Sequence, residues 1–124
     1  QTRAITETTP CHTVIEGIGR SHIEPGFMFD VVDKIIEVPD VDSCAAVWLL
    51  EDILGRRYGG SSGTNLMACL QLAIAMRDRG ETGSIVSLLC DRGERYAETL
   101  FDKTWLAQHA IVMDDALVEL RRYV

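Results

Sequence analysis

Several features that mark membrane, secreted and metal-binding proteins are missing from this sequence. No apolar run approaches the roughly 18 residues of a membrane-spanning helix, and no signal peptide opens the chain. The 4 cysteines form no CxxC pair, and the 3 histidines are isolated from partners at metal-ligand spacing. We therefore expect reduced thiols, no metal site and no membrane partner. The chain also has no initiator methionine, which suggests a piece of a longer protein.

Basic residues, and lysine in particular, are scarce. The 12 Lys and Arg against 19 Asp and Glu give a net charge of −7, which argues against nucleic acid or an anionic membrane surface as the main partner. The two lysines, Lys34 and Lys103, lie in polar surroundings that do not suit a desolvated Schiff base. At 124 residues, of which 47% are hydrophobic, the chain can form one domain with a core. Acidic charge, reduced cysteines and the lack of a targeting segment favour a cytoplasmic protein.

Runs of β-prone residues alternate with helical patterns along the chain. Residues 1–10 are polar, without periodicity, and are predicted to form a flexible arm. Short strands are predicted at 13–19, which runs into a glycine turn, and at 35–38, where Pro39 stops the run. Residues 84–90, Ser-Ile-Val-Ser-Leu-Leu-Cys, have the near-continuous hydrophobicity of a central parallel strand. This alternation predicts an α/β fold.

The helical patterns differ in how much of their surface is apolar. A helix capped by Asp42 or Ser43 and ended by Gly55 carries apolar residues at helical spacing on one face. The next helix, 66–76, is apolar on nearly every side, so we expect other elements to cover it. Shorter helical stretches are predicted at 27–34, following the turn at 91–96, and at 113–124, while 101–109 is predicted to be a packing cap.

The stretch 59–65, Gly-Gly-Ser-Ser-Gly-Thr-Asn, is open to two interpretations. It is either a loop whose small residues let backbone approach a ligand closely, or a strand-to-helix turn with a serine N-cap. A nucleophilic Ser61 or Ser62 would need a GxSxG-like elbow, which is absent, so a hydrolase is not predicted. Glu16 and Asp91 sit at the ends of predicted strands, where α/β ligand sites lie, but isolated acids there more often cap helices or form ion pairs. The residues alone predict an α/β piece that contacts a ligand.

Three motifs occur in the order and spacing seen near the C-terminus of cysteine synthases. They are Glu-Gly-Ile-Gly at 16–19, Gly-Gly-Ser-Ser-Gly at 59–63 and Leu-Cys-Asp-Arg-Gly-Glu-Arg-Tyr at 89–96. Residues 32–38 also resemble this family, and 102–106 are more similar to cystathionine β-synthases and cysteine desulfhydrases. The chain thus resembles the C-terminal part of a fold-type II pyridoxal-phosphate-dependent enzyme. The resemblance implies a three-layer α/β/α fold of the tryptophan synthase β type, with residues 11–124 belonging to the catalytic domain.

The resemblance also implies a set of cofactor-binding residues. Ser61 matches the family serine whose hydroxyl bonds the pyridine nitrogen of pyridoxal phosphate, with Gly60 and Ser62 beside it. Cys90 stands where cysteine synthases usually carry proline, and Asp91 follows it; both are expected to line the pyridine end of the pocket. A neutral hydroxyl at the pyridine nitrogen leaves that nitrogen largely unprotonated, which favours β-elimination and β-replacement.

A second loop is implied to lie beside the substrate. Gly17, Ile18 and Gly19 match a family segment where large side chains would obstruct the cofactor-bound substrate. Arg92 departs from the small residue common at its position. No catalytic residue is expected within the chain, because family members carry their Schiff-base lysine and phosphate-binding loop in an N-terminal portion that this sequence lacks.

The implied reaction is chemistry at the β-carbon of cysteine-like amino acids. Cysteine lyase or desulfhydrase activity is the first choice, because of residues 102–106 and Cys90, followed by cysteine synthase or cystathionine β-synthase activity. The family further implies a homodimer that needs the missing N-terminal portion. The alternative is a non-catalytic α/β binding or assembly module that retained the fold and lost the chemistry.

Overall fold

All regular secondary structure in the described residues is helical. The computed structural model describes residues 12–19 and 23–124, so the predicted flexible arm at 1–10 lies outside them. The α-helices are α1 (Asp40–Leu54), α2 (Gly60–Asp78), α3 (Lys103–Gln108) and α4 (Asp114–Leu120). Single 3-10 turns occur at Phe29–Val31, Glu94–Tyr96 and Arg121–Tyr123. The shorter helical stretches predicted at 27–34 and 113–124 are each present in part.

Helix α1 begins earlier than its sequence predicts. Its N-cap is Pro39, in an extended conformation, whose carbonyl accepts the first bond, from the Ser43 N–H. Neither Asp42 nor Ser43 is the cap, because both already lie inside the helix. The end is as predicted, since Gly55 adopts the left-handed conformation, with φ 66°, and its N–H donates to the carbonyl of Glu51.

Helix α2 includes the Gly/Ser stretch as its first turn. The N-cap is Gly59 and makes no side-chain cap bond, so the prediction of a serine N-cap is wrong. The helix packs closely on α1 at Gly63, where a Cβ would overlap the carbonyl oxygen of Ser43. Ser43 and Thr64 share a hydrogen bond of 2.8 Å across the same crossing. A helix crossing this close requires glycine at position 63.

The core forms around the buried face of α1. Its fully buried residues Cys44, Ala45, Ala46 and Val47 are small, so neighbouring elements approach the helix axis closely. The Trp48 indole N–H donates to the carbonyl of Leu100, at 2.8 Å, and thereby attaches α1 to the segment before α3. The other core residues are Ile15, Leu49, Tyr96, Leu100, Phe101, Leu106, Ile111, Met113 and Leu120.

The predicted strands are wrong for the residues that the structure describes. Residues 13–19 form a turn, while 35–38 and 84–90 are extended but unpaired. The single β-type interaction found in this part of the chain is an isolated antiparallel bridge between Tyr58 and Arg92. Hydrophobic alternation and β-branched residues indicate a preference for extended backbone, but a strand also needs a neighbouring strand for its hydrogen bonds. The three runs do not lie side by side here, so the α/β prediction is not met within this chain.

An apolar surface is left uncovered as a result. Val86 and Leu88, in the middle of the run predicted to be a central strand, are 91% and 73% exposed. The expected covering of α2 is only partial among the described residues, because its fully buried positions are Gly60, Ser62 and Gly63, while Leu66, Met67 and Leu70 are partly buried against the core. This surface is therefore far more apolar than water-facing protein normally is.

Candidate functional site

Two of the three motifs that the sequence analysis singled out, 59–63 and 89–96, meet at the first turn of α2, and Ile15, which precedes the third, packs against the same turn. The N–H of Gly59 donates to the carbonyl of Asp91, at 3.0 Å, and the N–H of Cys90 donates to the hydroxyl of Ser62, at 2.8 Å. From the other side, the side chain of Ile15 lies directly against Gly60. Segments that are more than 70 residues apart in the sequence are thus brought around one helix end.

The glycine pair at this helix end is needed for contacts within the chain. A Cβ at Gly59 would overlap the Asp91 carboxylate. A Cβ at Gly60 would lie 2.8 Å from Ile15 Cδ1 and 3.0 Å from Leu100 Cδ1, closer than atoms pack. The small residues therefore permit close approach. One interpretation of the sequence expected a ligand to approach this backbone, whereas the groups that lie against it here are side chains of the same chain.

The two serines have different surroundings. Ser62 is fully buried, and its hydroxyl accepts the hydrogen bond from Cys90 N–H. Ser61 is half-buried, and its hydroxyl forms no hydrogen bond with any residue that the structure describes. Ser61 thus presents an available hydroxyl donor, which is the chemical group that an unprotonated pyridine nitrogen would accept from. The free hydroxyl of Ser61 therefore fits pyridoxal phosphate, the cofactor that the resemblance implies.

Asn65 belongs to the site and was missed in the sequence analysis. Its side-chain amide donates to the carbonyl of Leu88, at 3.0 Å, and lies 3.6 Å from Cys90 Sγ. Ser62 and Asn65 are three residues apart, which places them on one face of α2, and they bind alternate residues of the extended run. The i, i+3 spacing of two polar residues in an apolar helix was the signal that could have revealed this pairing.

Asp91 is held by Tyr96, a second residue whose role the sequence analysis did not identify. The Tyr96 hydroxyl donates to Asp91 Oδ2, at 2.8 Å. Burial of the phenol, followed by its hydrogen bond to Asp91, raises the pKa of Tyr96 to about 12. The phenol is therefore neutral near pH 7 and remains a hydrogen-bond donor. Asp91 is thus neither a helix cap nor an ion-pair residue among the contacts that the structure describes, and its side chain accepts a hydrogen bond from a tyrosine instead.

The loop predicted to lie beside the substrate is exposed to solvent. Gly17 and Gly19 adopt positive φ angles of 81° and 73°, which glycine adopts without strain, and the Ile18 side chain between them is exposed. Glu16 forms an ion pair with Arg95, 2.9 Å between Oε2 and Nη2, which ties the loop to the Glu94–Tyr96 turn. Glu16 is thus an ion-pair residue, as its isolation in the sequence suggested.

Arg92 extends the site on the side facing away from this loop. It lines a cleft of about 480 Å³ together with Arg56, Arg57, Tyr58, Leu89, Cys90 and Glu94. Arg57 is already paired with Glu51, at 2.8 Å, and lies over the ring of Phe101. The departure from a small residue at position 92 thus adds a positive charge close to Cys90 and Asp91.

The cysteines and the remaining ligand-type residues offer no further chemistry in the described ranges. Burial, reinforced by the nearby charge of Asp40, raises the pKa of the Cys44 thiol to about 12, so this thiol is inert. Cys44, Cys69 and Cys90 are all free. Across 12–19 and 23–124, no group of three or more His, Cys, Asp or Glu side chains could hold a metal ion. Within the same ranges, no helix is both long and apolar enough to cross a membrane.

Comparison with known proteins finds that this chain is similar to part of several enzymes. No protein-family model matches it. It is 44% identical, over 102 residues, to L-cysteine desulfhydrase Cds1 of Mycobacterium tuberculosis; the match covers 82% of this chain and 28% of that protein. It is 38% identical over 97 residues to N-(2-amino-2-carboxyethyl)-L-glutamate synthase of Ralstonia nicotianae, covering 77% of this chain and 28% of that protein. It is 33% identical over 98 residues to cysteine synthase 1 of Neurospora crassa, covering 77% of this chain and 25% of that protein.

The chain spans about a quarter of the length of the curated relatives that it matches. The aligned stretch nevertheless covers most of this chain. The relatives that it matches include cysteine synthase, the kind of enzyme that the three motifs resemble. This chain therefore belongs, as a part, to the cysteine synthase family of fold-type II pyridoxal-phosphate-dependent enzymes.

Proposed function

We propose that this chain is the C-terminal part of a pyridoxal-phosphate-dependent cysteine desulfhydrase. The whole enzyme would convert L-cysteine and water to hydrogen sulfide, pyruvate and ammonia by elimination at the β-carbon. The observation that carries the proposal is the meeting of two family motifs, 59–63 and 89–96, at the helix end that bears Ser61, whose hydroxyl is available to a ligand. The identity to a desulfhydrase, at 44%, supports this choice over the synthases.

The chain's own residues would form the far wall of the cofactor pocket. Ser61 would donate its hydroxyl to the pyridine nitrogen, with Gly60 and Ser62 beside it and Cys90 and Asp91 at the same edge. When bound, pyridoxal phosphate withdraws electrons from the α-carbon of the amino acid, which makes departure of the β-substituent possible. A neutral hydroxyl at the pyridine nitrogen leaves that nitrogen largely unprotonated and so moderates the electron withdrawal. This favours elimination and replacement at the β-carbon.

The loop at Gly17, Ile18 and Gly19 would border the amino-acid substrate. Its glycine conformations keep large side chains away from the space beside the cofactor. The ion pair between Glu16 and Arg95 would hold the loop in place.

The anchoring lysine would come from outside this chain. Both lysines are exposed, and Lys103 lies 5.6 Å above the Trp48 ring, so neither has the apolar surroundings of a Schiff-base lysine. An additional portion would supply that lysine and the phosphate-binding loop. It would also cover the exposed run 84–90, which we propose becomes a strand of the three-layer α/β/α fold in the complete protein.

The remaining expectations of the family apply to that complete protein. We propose that residues 11–124 form part of one catalytic domain. We further propose that the enzyme is a cytoplasmic homodimer. The abundance of exposed apolar side chains supports a truncated enzyme over a self-sufficient binding module.

A pair of serine variants in the full-length protein tests the proposal. Ser61→Ala removes the proposed pyridine partner, and we expect kcat/KM for sulfide release from L-cysteine to fall about tenfold or more, the value of one good hydrogen bond. Thr82→Ala, which removes an exposed hydroxyl outside the run 84–90, serves as the matched control and should leave kcat/KM unchanged.

Two results would contradict the proposal. If the wild-type protein releases no sulfide from cysteine and instead makes cysteine from an activated serine and sulfide, the enzyme is a synthase. If it binds no pyridoxal phosphate at all, the cofactor assignment is wrong, and the binding-module alternative stands.

A further inference from the structure

The carboxylate of Asp91 is fixed at both of its oxygens. Oδ2 accepts the hydrogen bond of the Tyr96 hydroxyl, at 2.8 Å. Oδ1 lies against Gly59, in the space that a Cβ at that position would fill. The Asp91 carbonyl is also bound, because it accepts the Gly59 N–H at 3.0 Å. A negatively charged group is therefore held against Gly59, two residues before Ser61, in a defined position.

A carboxylate held at the same helix end as the proposed pyridine partner has a chemical consequence. A carboxylate that reaches a pyridine nitrogen favours its protonated form, whereas a neutral hydroxyl does not. Asp91 is exposed and has a short side chain with two free torsions, so it could rotate if nothing held it. The bond from Tyr96 is the one side-chain hydrogen bond to this carboxylate among the described residues.

We propose that Tyr96 is a positioning residue that keeps the Asp91 carboxylate away from the pyridine nitrogen and so reserves that nitrogen for the Ser61 hydroxyl. The inference rests on the proposed function, since it assumes that pyridoxal phosphate binds against Ser61. The Tyr96–Asp91 contact would thereby limit which reactions the enzyme catalyses. A protonated pyridine would withdraw electrons more strongly and allow a wider range of reactions.

Tyr96 is well placed to act as such a restraint. Its ring is buried in the core, and its N–H donates to the carbonyl of Gly93, at 3.0 Å, within a 3-10 turn. The Phe101 N–H donates back to the Tyr96 carbonyl, at 3.2 Å. Its hydroxyl also keeps its proton throughout the physiological pH range, because the pKa of Tyr96 is raised to about 12. The donor is therefore rigid and permanently protonated.

The protonation state of the cofactor nitrogen tests the proposal directly. The full-length protein would be reconstituted with pyridoxal phosphate labelled with ¹⁵N in the ring, and the nitrogen's chemical shift would be followed against pH. We expect Tyr96→Phe to raise the pKa of the ring nitrogen by about one unit, a roughly tenfold increase in its protonated-to-unprotonated ratio. The double variant Tyr96→Phe with Asp91→Asn should return to the wild-type shift, because the released group is then neutral.

Tyr58→Phe is the matched control. Tyr58 is also a buried tyrosine, and its hydroxyl has no hydrogen-bond partner among the described residues, so its loss removes a phenol without freeing a carboxylate. It should leave the nitrogen's titration unchanged. If Tyr96→Phe does not fold, Asp91→Glu provides a second route, because it moves the carboxylate by one methylene while keeping Tyr96. We expect it to raise the protonated fraction as well.

The outcomes separate this inference from the function on which it rests. If the wild-type protein binds the cofactor, but neither Tyr96→Phe nor Asp91→Glu alters the ring-nitrogen titration, the positioning role is overturned and the proposed function stands. The positioning role is also overturned if the double variant keeps the shift of Tyr96→Phe, since Asp91 is then not the cause. If wild-type protein shows no bound cofactor signal, the proposed function itself fails.

Discussion

At the scale of single residues, neighbouring side chains of the same type have different environments. The hydroxyl of Ser62 is committed to Cys90 and that of Ser61 is available, although both belong to one Gly-Ser-Ser-Gly stretch. Tyr96 donates to Asp91, whereas the Tyr58 hydroxyl is buried without a partner among the described residues. Such differences depend on long-range contacts. The motifs predicted which segments matter, and the spacing of Ser62 and Asn65 offered a signal for one pairing, but the contact of Tyr96 with Asp91 could not be predicted from local spacing.

The two buried tyrosines should respond oppositely to loss of their hydroxyls. Tyr96→Phe removes a hydrogen bond to a carboxylate, and we expect the free energy of unfolding to fall by about 1 kcal/mol. Tyr58→Phe removes an unsatisfied buried hydroxyl, so the free energy of unfolding should stay the same or rise slightly. Urea unfolding of the chain, followed by circular dichroism, measures both. Equal losses in the two variants would show that the phenol–carboxylate bond adds nothing.

The contribution of Tyr96 should also depend on pH in a definite direction. Its pKa is raised from 10.0 to about 12 in the folded chain, so the folded state holds the phenol proton more tightly than the unfolded state does. This contribution is fully present below pH 10 and is lost as the pH rises towards 12. The difference in unfolding free energy between wild type and Tyr96→Phe should therefore shrink over that interval.

At the scale of elements, helix ends were predicted well only where one residue determines them. The end of α1 at Gly55 follows from the left-handed conformation that glycine tolerates, and the sequence indicates it directly. Its start at Asp40 was missed because Pro39 supplies no capping side chain. Asp40 instead uses its carboxylate to accept bonds from Thr13 and the Val14 N–H, at 2.6 and 2.7 Å. This long-range contact has no local sequence signal.

The crossing of α1 and α2 depends on Gly63. Gly63→Ala places a methyl group against the Ser43 carbonyl and the Val47 side chain, so the helices must separate. We expect a loss of about 2 kcal/mol in the free energy of unfolding, because overpacking outweighs the better helix propensity of alanine. Gly26→Ala, at a position with nothing within 4 Å of the added Cβ, should change stability by less than about 0.5 kcal/mol. A Gly63→Ala variant as stable as wild type would contradict the close crossing.

At the scale of the whole molecule, the predicted α/β class and the helical fold differ for one reason. The run 84–90 has the composition of a buried strand, and its extended backbone is pinned to α2 by Ser62 and Asn65. No described segment pairs with it, so a strand-like sequence remains an exposed, unpaired segment. The composition of residues 84–90 indicated that their apolar side chains would be buried if neighbouring strands and helices covered them. It could not indicate that none of the described segments would supply those neighbours.

The exposed surface and the coverage of relatives lead to the same interpretation. The chain matches about a quarter of each relative, and apolar side chains of its run 84–90 and of residues 27–35 are in contact with solvent. Burial of this surface would stabilise the fold by about 25 cal/mol for each Å² removed from water. We therefore infer that the folded state suited to catalysis is that of the complete protein.

The central claim is that this chain is one wall of a pyridoxal-phosphate site and that the cofactor's anchor lies elsewhere. The most direct measurement compares the visible absorbance of bound pyridoxal phosphate in the full-length protein with that of the 124-residue chain alone, before and after addition of L-cysteine. We predict a bound-cofactor band that changes with cysteine, accompanied by sulfide release, in the full-length protein alone. A cysteine-responsive band in the isolated chain, or none in the full-length protein, would contradict the account.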